Sequence, residues 1–143
     1  MTYAYPVCFR EDENGTVVAA APDVPGAMTV GTDRAEALDR IQGALIVMLA
    51  ARMEDREPIP RPSLPARGQR LLMLPPMVAA KLSIYQEIRA RRSTLDQLRR
   101  RLGWDPTRVA RLLDLRRRTR LEDLEAALEA LGKRLVIEVR DAA

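Results

Sequence analysis

Ser93-Thr-Leu-Asp-Gln-Leu-Arg-Arg-Arg-Leu-Gly-Trp-Asp-Pro-Thr-Arg-Val-Ala-Arg-Leu-Leu113 decides how the second half of this chain folds. Ser93-Thr94 can open a helix with Asp96 and Gln97 in capping-box positions, and Leu95, Leu98 and Leu102 then form a buried stripe up to Gly103. Asp105-Pro106 supplies an N-cap followed by proline at the first helical position, and Val109, Leu112 and Leu113 point inward from the helix it starts. Two short helices around a break at Gly103-Trp104 have the spacing of a helix-turn-helix. In that geometry the second helix lies in the DNA major groove, with Thr107, Arg108 and Arg111 facing outward. Arginine can hold guanine O6 and N7 with two hydrogen bonds, and threonine can touch a thymine methyl. Arg99, Arg100 and Arg101 before the break, and Arg116, Arg117, Arg118 and Arg120 after it, are placed for phosphate contacts blind to sequence. Of the 24 basic residues 22 are Arg, so a helical hairpin with solvated arginine faces is the plain alternative.

Toward the C-terminus, Leu121, Leu124, Ala127, Leu128 and Leu131 predict one more helix ending at Gly132. The β-branched run Lys133-Arg-Leu-Val-Ile-Glu-Val139 reads as a strand, which either pairs across a dimer or docks on a sheet formed earlier in the chain. Toward the N-terminus, Met77, Val78, Leu82, Tyr85 and Ile88 predict a helix over 76–91. Pro75-Pro76 marks a boundary, giving domains 1–74 and 75–143.

The first domain reads differently. Tyr3, Tyr5, Val7 and Phe9 alternate, Asn14-Gly15 predicts a type I′ hairpin turn, and Thr16-Val-Val-Ala-Ala20 returns. Ala27-Met-Thr-Val30 is a third strand after the turn-rich Pro22-Asp-Val-Pro-Gly26. Asp33 and Glu36 predict a capping box for a helix with Leu38, Ile41, Leu45, Met48 and Leu49 on its apolar side, covering one face of the sheet. Glu57-Pro-Ile-Pro-Arg-Pro-Ser-Leu-Pro65 is an extended connector, and Gln69-Arg-Leu-Leu-Met-Leu74 is a further strand. The fold class is α+β: a small antiparallel sheet with a covering helix, then an all-helical helix-turn-helix domain ending in a strand.

Charge divides along the same line. Residues 1–66 hold 6 Arg against 10 acids, a charge of −4, whereas residues 67–143 carry +8. The chain of 143 residues contains no His, which removes the commonest general base and metal ligand, and the single Cys8 can form neither an internal disulfide nor a cysteine zinc site. Cys8 reads as a packed thiol, and Trp104 as a core residue at the helix break. The apolar run 43–51 is far short of the roughly 20 residues that span a bilayer. No signal core is evident at the N-terminus, so a cytoplasmic protein without membrane contact is expected. Asp12, Asp23, Asp33 and Glu36 offer carboxylates to a basic protein partner or to a metal. Hairpin tip, turn and helix cap explain each of them without chemistry, so no metal, cofactor or catalytic residue is assigned.

Two stretches together resemble the HicB antitoxin family. Tyr5-Pro6-Val7, the hairpin at Asn14-Gly15, Pro22-Asp-Val-Pro-Gly26, Thr29-Val-Gly-Thr32 and the Glu36-Ala-Leu38 helix look like its N-terminal domain. Arg111-Leu-Leu-Asp114, Leu124-Glu-Ala-Ala-Leu128 and Leu131-Gly-Lys-Arg134 look like the DNA-binding domain that many members carry. The resemblance implies a partial RNase H-like N-terminal fold without nuclease activity, which masks a small basic toxin, HicA, an mRNA-cleaving ribonuclease. It implies a C-terminal domain that dimerises and represses the operon's own promoter. Asp12, Asp23, Asp33 and Glu36 become the candidates for toxin contact, and Thr107, Arg108, Arg111, Arg100, Arg116, Arg117 and Arg118 those for operator double-stranded DNA. One departure stands out: this kind of helix-turn-helix usually has a small residue after the leucine at 98, where this chain has Arg99, so either the arginine snorkels outward or the helices cross more widely. The alternatives are a stand-alone transcriptional regulator whose N-terminal domain senses a ligand or only oligomerises, and a residual RNase H-type nuclease, for which no carboxylate constellation assembles.

Overall fold

A continuous buried run from Tyr3 to Val7 builds an inner strand of a four-stranded antiparallel sheet. β1 (Ala4–Glu11) pairs with β2 (Val17–Ala20) and with β4 (Arg70–Met73), and β2 pairs with β3 (Met28–Gly31), giving the order β3-β2-β1-β4. The computed structural model describes residues 2–142 and divides into two compact units, Met1–Ala79 and Ala80–Ala143. Among the described residues there are four strands and five α-helices, an α+β fold.

The first unit is built on one covered face of the sheet. Tyr5, Val7, Val17 and Ala19 are buried on it, and α1 (Arg34–Glu54) packs across β2 and β3. The helix presents Ala37, Ile41, Leu45, Leu49 and Met53, a stripe repeating every four residues. Each of its fully buried aliphatic side chains contributes about 1.5–3 kcal/mol. Leu38 and Met48, expected on that stripe, are only half-buried. Gly26 leaves room for Met48, whose Cε would lie 2.6 Å from a Cβ there. The opposite face carries Met28 and Val30 at one edge and Leu71 and Met73 at the other, all exposed.

The proline-rich connector is tied down. The Tyr5 hydroxyl donates to the Pro60 carbonyl at 2.7 Å, and Ser63 donates to Asp23 from its backbone N–H (2.7 Å) and its hydroxyl (3.0 Å).

The hairpin turn differs from the type I′ expectation. Gly15 alone is left-handed (φ 79°), and the turn runs from Asp12 to Gly15 with Gly15 N–H donating to the Asp12 carbonyl at 2.9 Å. The Asp12 carboxylate accepts from Glu13 N–H at 2.8 Å, so a turn starting at Asp12 satisfies donors that a two-residue turn would leave open.

α2 (Pro76–Ala90) begins just before the division, and α3 (Leu95–Leu102), α4 (Pro106–Ala110), a 3-10 turn at Arg111–Leu113 and α5 (Leu121–Ala130) follow it in the second unit. Leu82, Ile84 and Leu112 are fully buried, and Leu98, Val109, Leu115, Leu124 and Leu128 nearly so. Of the two C-terminal expectations, docking on the chain's own sheet is overturned: within the single chain residues 133–139 form no strand, and Val136, Ile137 and Val139 are 77%, 60% and 92% exposed. The β-branched run is present, but a strand is defined by its pairing, and the four-stranded sheet does not include this run.

Candidate functional site

The basic surface is shaped by three helix caps. Thr94 accepts from Gln97 N–H at 3.1 Å while the Gln97 side chain accepts from Thr94 N–H at 3.0 Å, a complete capping box for α3. Gly103 closes α3 in the left-handed region (φ 71°), which lets the chain reverse within two residues. Asp105 caps α4 by accepting from Arg108 N–H at 2.8 Å. At the start of α1, by contrast, only half of the expected reciprocal pairing forms: Asp33 accepts from Glu36 N–H at 2.8 Å, while the Glu36 carboxylate turns back to the Thr32 hydroxyl at 3.0 Å.

These caps leave Thr107, Arg108 and Arg111 exposed on one side, and Arg116, Arg117, Arg118 and Arg120 exposed beyond the 3-10 turn. Two depressions flank α4. One, of about 810 Å³, is lined by Thr107, Arg108, Arg111, Arg118 and Arg120 with Asp105 and Asp123. The other, of about 400 Å³, is lined by Pro106, Thr107, Ala110, Arg111, Asp114 and Arg117. Thr107 and Arg111 line both.

The preceding arginines are more occupied. Asp96 pairs with Arg99 at 2.9 Å and with Arg100 at 3.1 Å. The hydrogen bond from Arg99 and the charges of both arginines hold the Asp96 carboxyl below its usual range. Arg99, at 30% exposure, thus pairs along its own helix through Nε and reaches the Trp104 carbonyl at the α3–α4 break through Nη1 at 3.5 Å. Arg101 donates to the Ala130 carbonyl at 2.8 Å, and Arg91 to the Leu131 carbonyl, so both satisfy the open C-terminal end of α5.

Sequence reasoning missed two residues here. Lys81 is fully buried, and its ammonium donates to the carbonyls of Asp114 (2.6 Å) and Arg117 (2.5 Å), the two ends of the turn that carries Arg116. Burial lowers its pKa, partly offset by the Asp114 carboxylate. A charge at position 81 between the buried positions Val78 and Leu82 was the available signal. Asp123 is the other: its carboxylate takes the Arg108 guanidinium at 2.8 Å and 3.2 Å, and that hydrogen bonding lowers its pKa. Position 123, in the first turn of α5, reads as an ordinary acid favoured by the helix dipole.

The four carboxylates of the first unit do not converge. Asp12 sits at the hairpin tip, Asp23 holds Ser63, and only Asp33 and Glu36 come together, where Glu36 also pairs with Arg40 at 2.9 Å. Among the described residues no three His, Cys, Asp or Glu side chains are grouped to hold a metal ion. Cys8 is half-buried and its thiol contacts the Ala20 carbonyl at 3.5 Å. No helix among the described residues is long and apolar enough to cross a membrane.

Residues 4–83 match the family described as the HicB_like antitoxin of bacterial toxin-antitoxin systems. The chain belongs to that family. It is 37% identical over 131 residues to Antitoxin HicB 2 of Photorhabdus laumondii, covering 92% of both chains. It is 30% identical over 131 residues to Antitoxin HicB of Escherichia coli strain K12, covering 92% of this chain and 95% of the relative. Against Antitoxin HicB of Pseudomonas fluorescens it is 30% identical over 132 residues, covering 92% and 90%. For a HicB-like antitoxin, the β1–β2 hairpin, the Asp23 turn, α1 and the connector all fall within the matched segment, whereas α3, α4 and the arginine-rich surface lie beyond it.

Proposed function

We propose that this chain is the antitoxin of a type II toxin-antitoxin pair which masks a HicA-like mRNA-cleaving ribonuclease and represses its own operon by binding operator DNA. The observation that carries the DNA half is the exposure of Thr107 on α4 and Arg111 at the start of the 3-10 turn, both lining two depressions, with Arg116, Arg117 and Arg118 exposed just beyond. In this reading α3 and α4 are the helix-turn-helix. Thr107, Arg108 and Arg111 face base edges, and Arg100, Arg116, Arg117 and Arg118 face phosphates.

Residues 1–74 are the toxin-binding part, a partial RNase H-like fold without catalysis. Its charge of −4 over residues 1–66 suits a basic toxin, with Asp12, Asp23, Asp33 and Glu36 as contacts. Residues 75–143 form the DNA-binding and dimerisation part. The exposed β-branched run 135–139 favours a homodimer in which it pairs with the same run of a second copy. The protein works in the cytoplasm, where both mRNA and operator are found.

The test is co-expression with the product of the adjacent reading frame, followed by size-exclusion chromatography and a mobility-shift titration on the DNA upstream of the pair. A stable complex, with DNA affinity falling steeply between 50 and 200 mM salt, supports the reading. DNA binding without a protein complex favours the stand-alone regulator.

A further inference from the structure

Arg108 leaves α4 on its exposed side, yet its guanidinium is occupied on a face and on an edge. It lies 4.0 Å from the centroid of the Trp104 ring, and Nη2 and Nε reach the two Asp123 oxygens at 2.8 Å and 3.2 Å. The Asp123 side chain is 14% exposed against 46% for Arg108, so the carboxylate is the more enclosed member of the pair. Swinging Arg108 away to a base would give up both hydrogen bonds to that carboxylate and the contact with the Trp104 ring together. The Arg108 backbone is fixed as well, because its N–H is the one capped by Asp105.

We propose that Arg108 is a positioning residue that braces α4 against the first turn of α5 and sets the opening between Thr107 and Arg111 on one side and Arg118 and Arg120 on the other. The inference rests on the DNA-binding reading above and changes one assignment within it: base reading falls to Thr107 and Arg111. Asp123 is neutralised by the brace, which leaves the depression lined by Arg111, Arg118 and Arg120 net positive for a duplex backbone. On the far side of Arg111, its carbonyl accepts from the Thr119 hydroxyl at 3.3 Å, so the same residue that reads is held to the opposite wall.

The experiment uses the full chain and a randomised 24-base-pair duplex pool, with bound sequences selected and counted for wild type, Arg108→Met, Asp123→Asn, the double variant and Arg111→Ala. The brace predicts that Arg108→Met and Asp123→Asn each weaken binding to the preferred sequence by about 5- to 100-fold, and that the double variant loses no more than either alone. Preference should shrink at all contacted positions together, with the salt slope unchanged because no phosphate contact is lost. Arg108→Lys should not rescue, since an ammonium cannot bridge both carboxylate oxygens in the plane of the pair. Arg111→Ala should instead relax preference at one position. The inference is overturned if Arg108→Met relaxes a single position while Asp123→Asn keeps or sharpens the wild-type preference. If wild type enriches no sequence and shifts no duplex, the DNA-binding reading itself falls.

Discussion

Two glycines in the first unit should respond to the same substitution with opposite signs. At Gly31 an added Cβ would lie 2.5 Å from Ala37 N and 2.9 Å from Ala37 Cα, where ordinary contact begins at 3.4 Å. Both obstacles are backbone in the first turn of α1, so they cannot rotate aside, and β3 and α1 must separate by roughly 0.9 Å. Overpacking of this kind costs about 1–3 kcal/mol, and the entropy that alanine removes from the unfolded chain returns about 0.4–1 kcal/mol. Gly31→Ala is therefore expected to lose about 1–2 kcal/mol. Gly43 lies in the same helix with nothing within 4 Å of its added Cβ. There alanine brings only its better helix propensity, a gain of about 0.8–1.0 kcal/mol. In urea unfolding followed by far-UV circular dichroism the midpoint should fall by roughly 0.5–1 M for Gly31→Ala, taking a slope of about 2 kcal/mol per molar. For Gly43→Ala it should rise. An unchanged midpoint for the first variant, or a lowered one for the second, would refute the packing argument at the β3–α1 junction.

Other outcomes follow from the buried titrating groups and the arginine surface. Because burial depresses the Lys81 pKa, the unfolded chain binds more protons between that lowered value and about 10.4, so stability should rise with pH across this alkaline window. Lys81→Met should flatten the rise in a pH series of thermal melts; a wild-type curve with no rise would contradict the assignment. Tyr5 acts oppositely, since burial raises its phenol pKa and stability should fall above about pH 10 as the unfolded phenol ionises. Tyr5→Phe should abolish that fall and cost about 0.5–1.5 kcal/mol at neutral pH for the lost bond to Pro60. On DNA, Arg111→Ala should cost about 1–3 kcal/mol and relax one base position, whereas Arg117→Ala should weaken all sequences alike and reduce the salt slope by about 0.9. Equal losses on every sequence for both would remove Arg111 as a reader.

Local signals carried most of the helical half. Thr94 and Gln97, Asp105 with Pro106, and Gly103 act within three or four residues of their partners, so a cap is legible wherever its residues stand. The alternation around Tyr5 and Val7 and the four-residue spacing through Ile41, Leu45 and Leu49 placed the sheet and its covering helix for the same reason. What escaped depends on distance along the chain. The Arg108–Asp123 pair spans 15 residues and the Lys81–Asp114 bond 33, and neither partner advertises the other. Residues 133–139 have strand composition without a strand, because β-branched composition is a local property whereas a strand needs a pairing partner that the run itself does not specify. The four acids were legible as caps and turns, which is how Asp12, Asp23 and Asp33 are used within the fold.

The most direct test of the antitoxin account is the RNA-cleaving activity of the neighbouring reading frame's product, measured while this full chain is titrated in. The account predicts that the product alone degrades mRNA and that cleavage stops when the two proteins reach a fixed stoichiometry. Cleavage that continues at saturating amounts of this chain, or a neighbour that does not cut RNA, would contradict it.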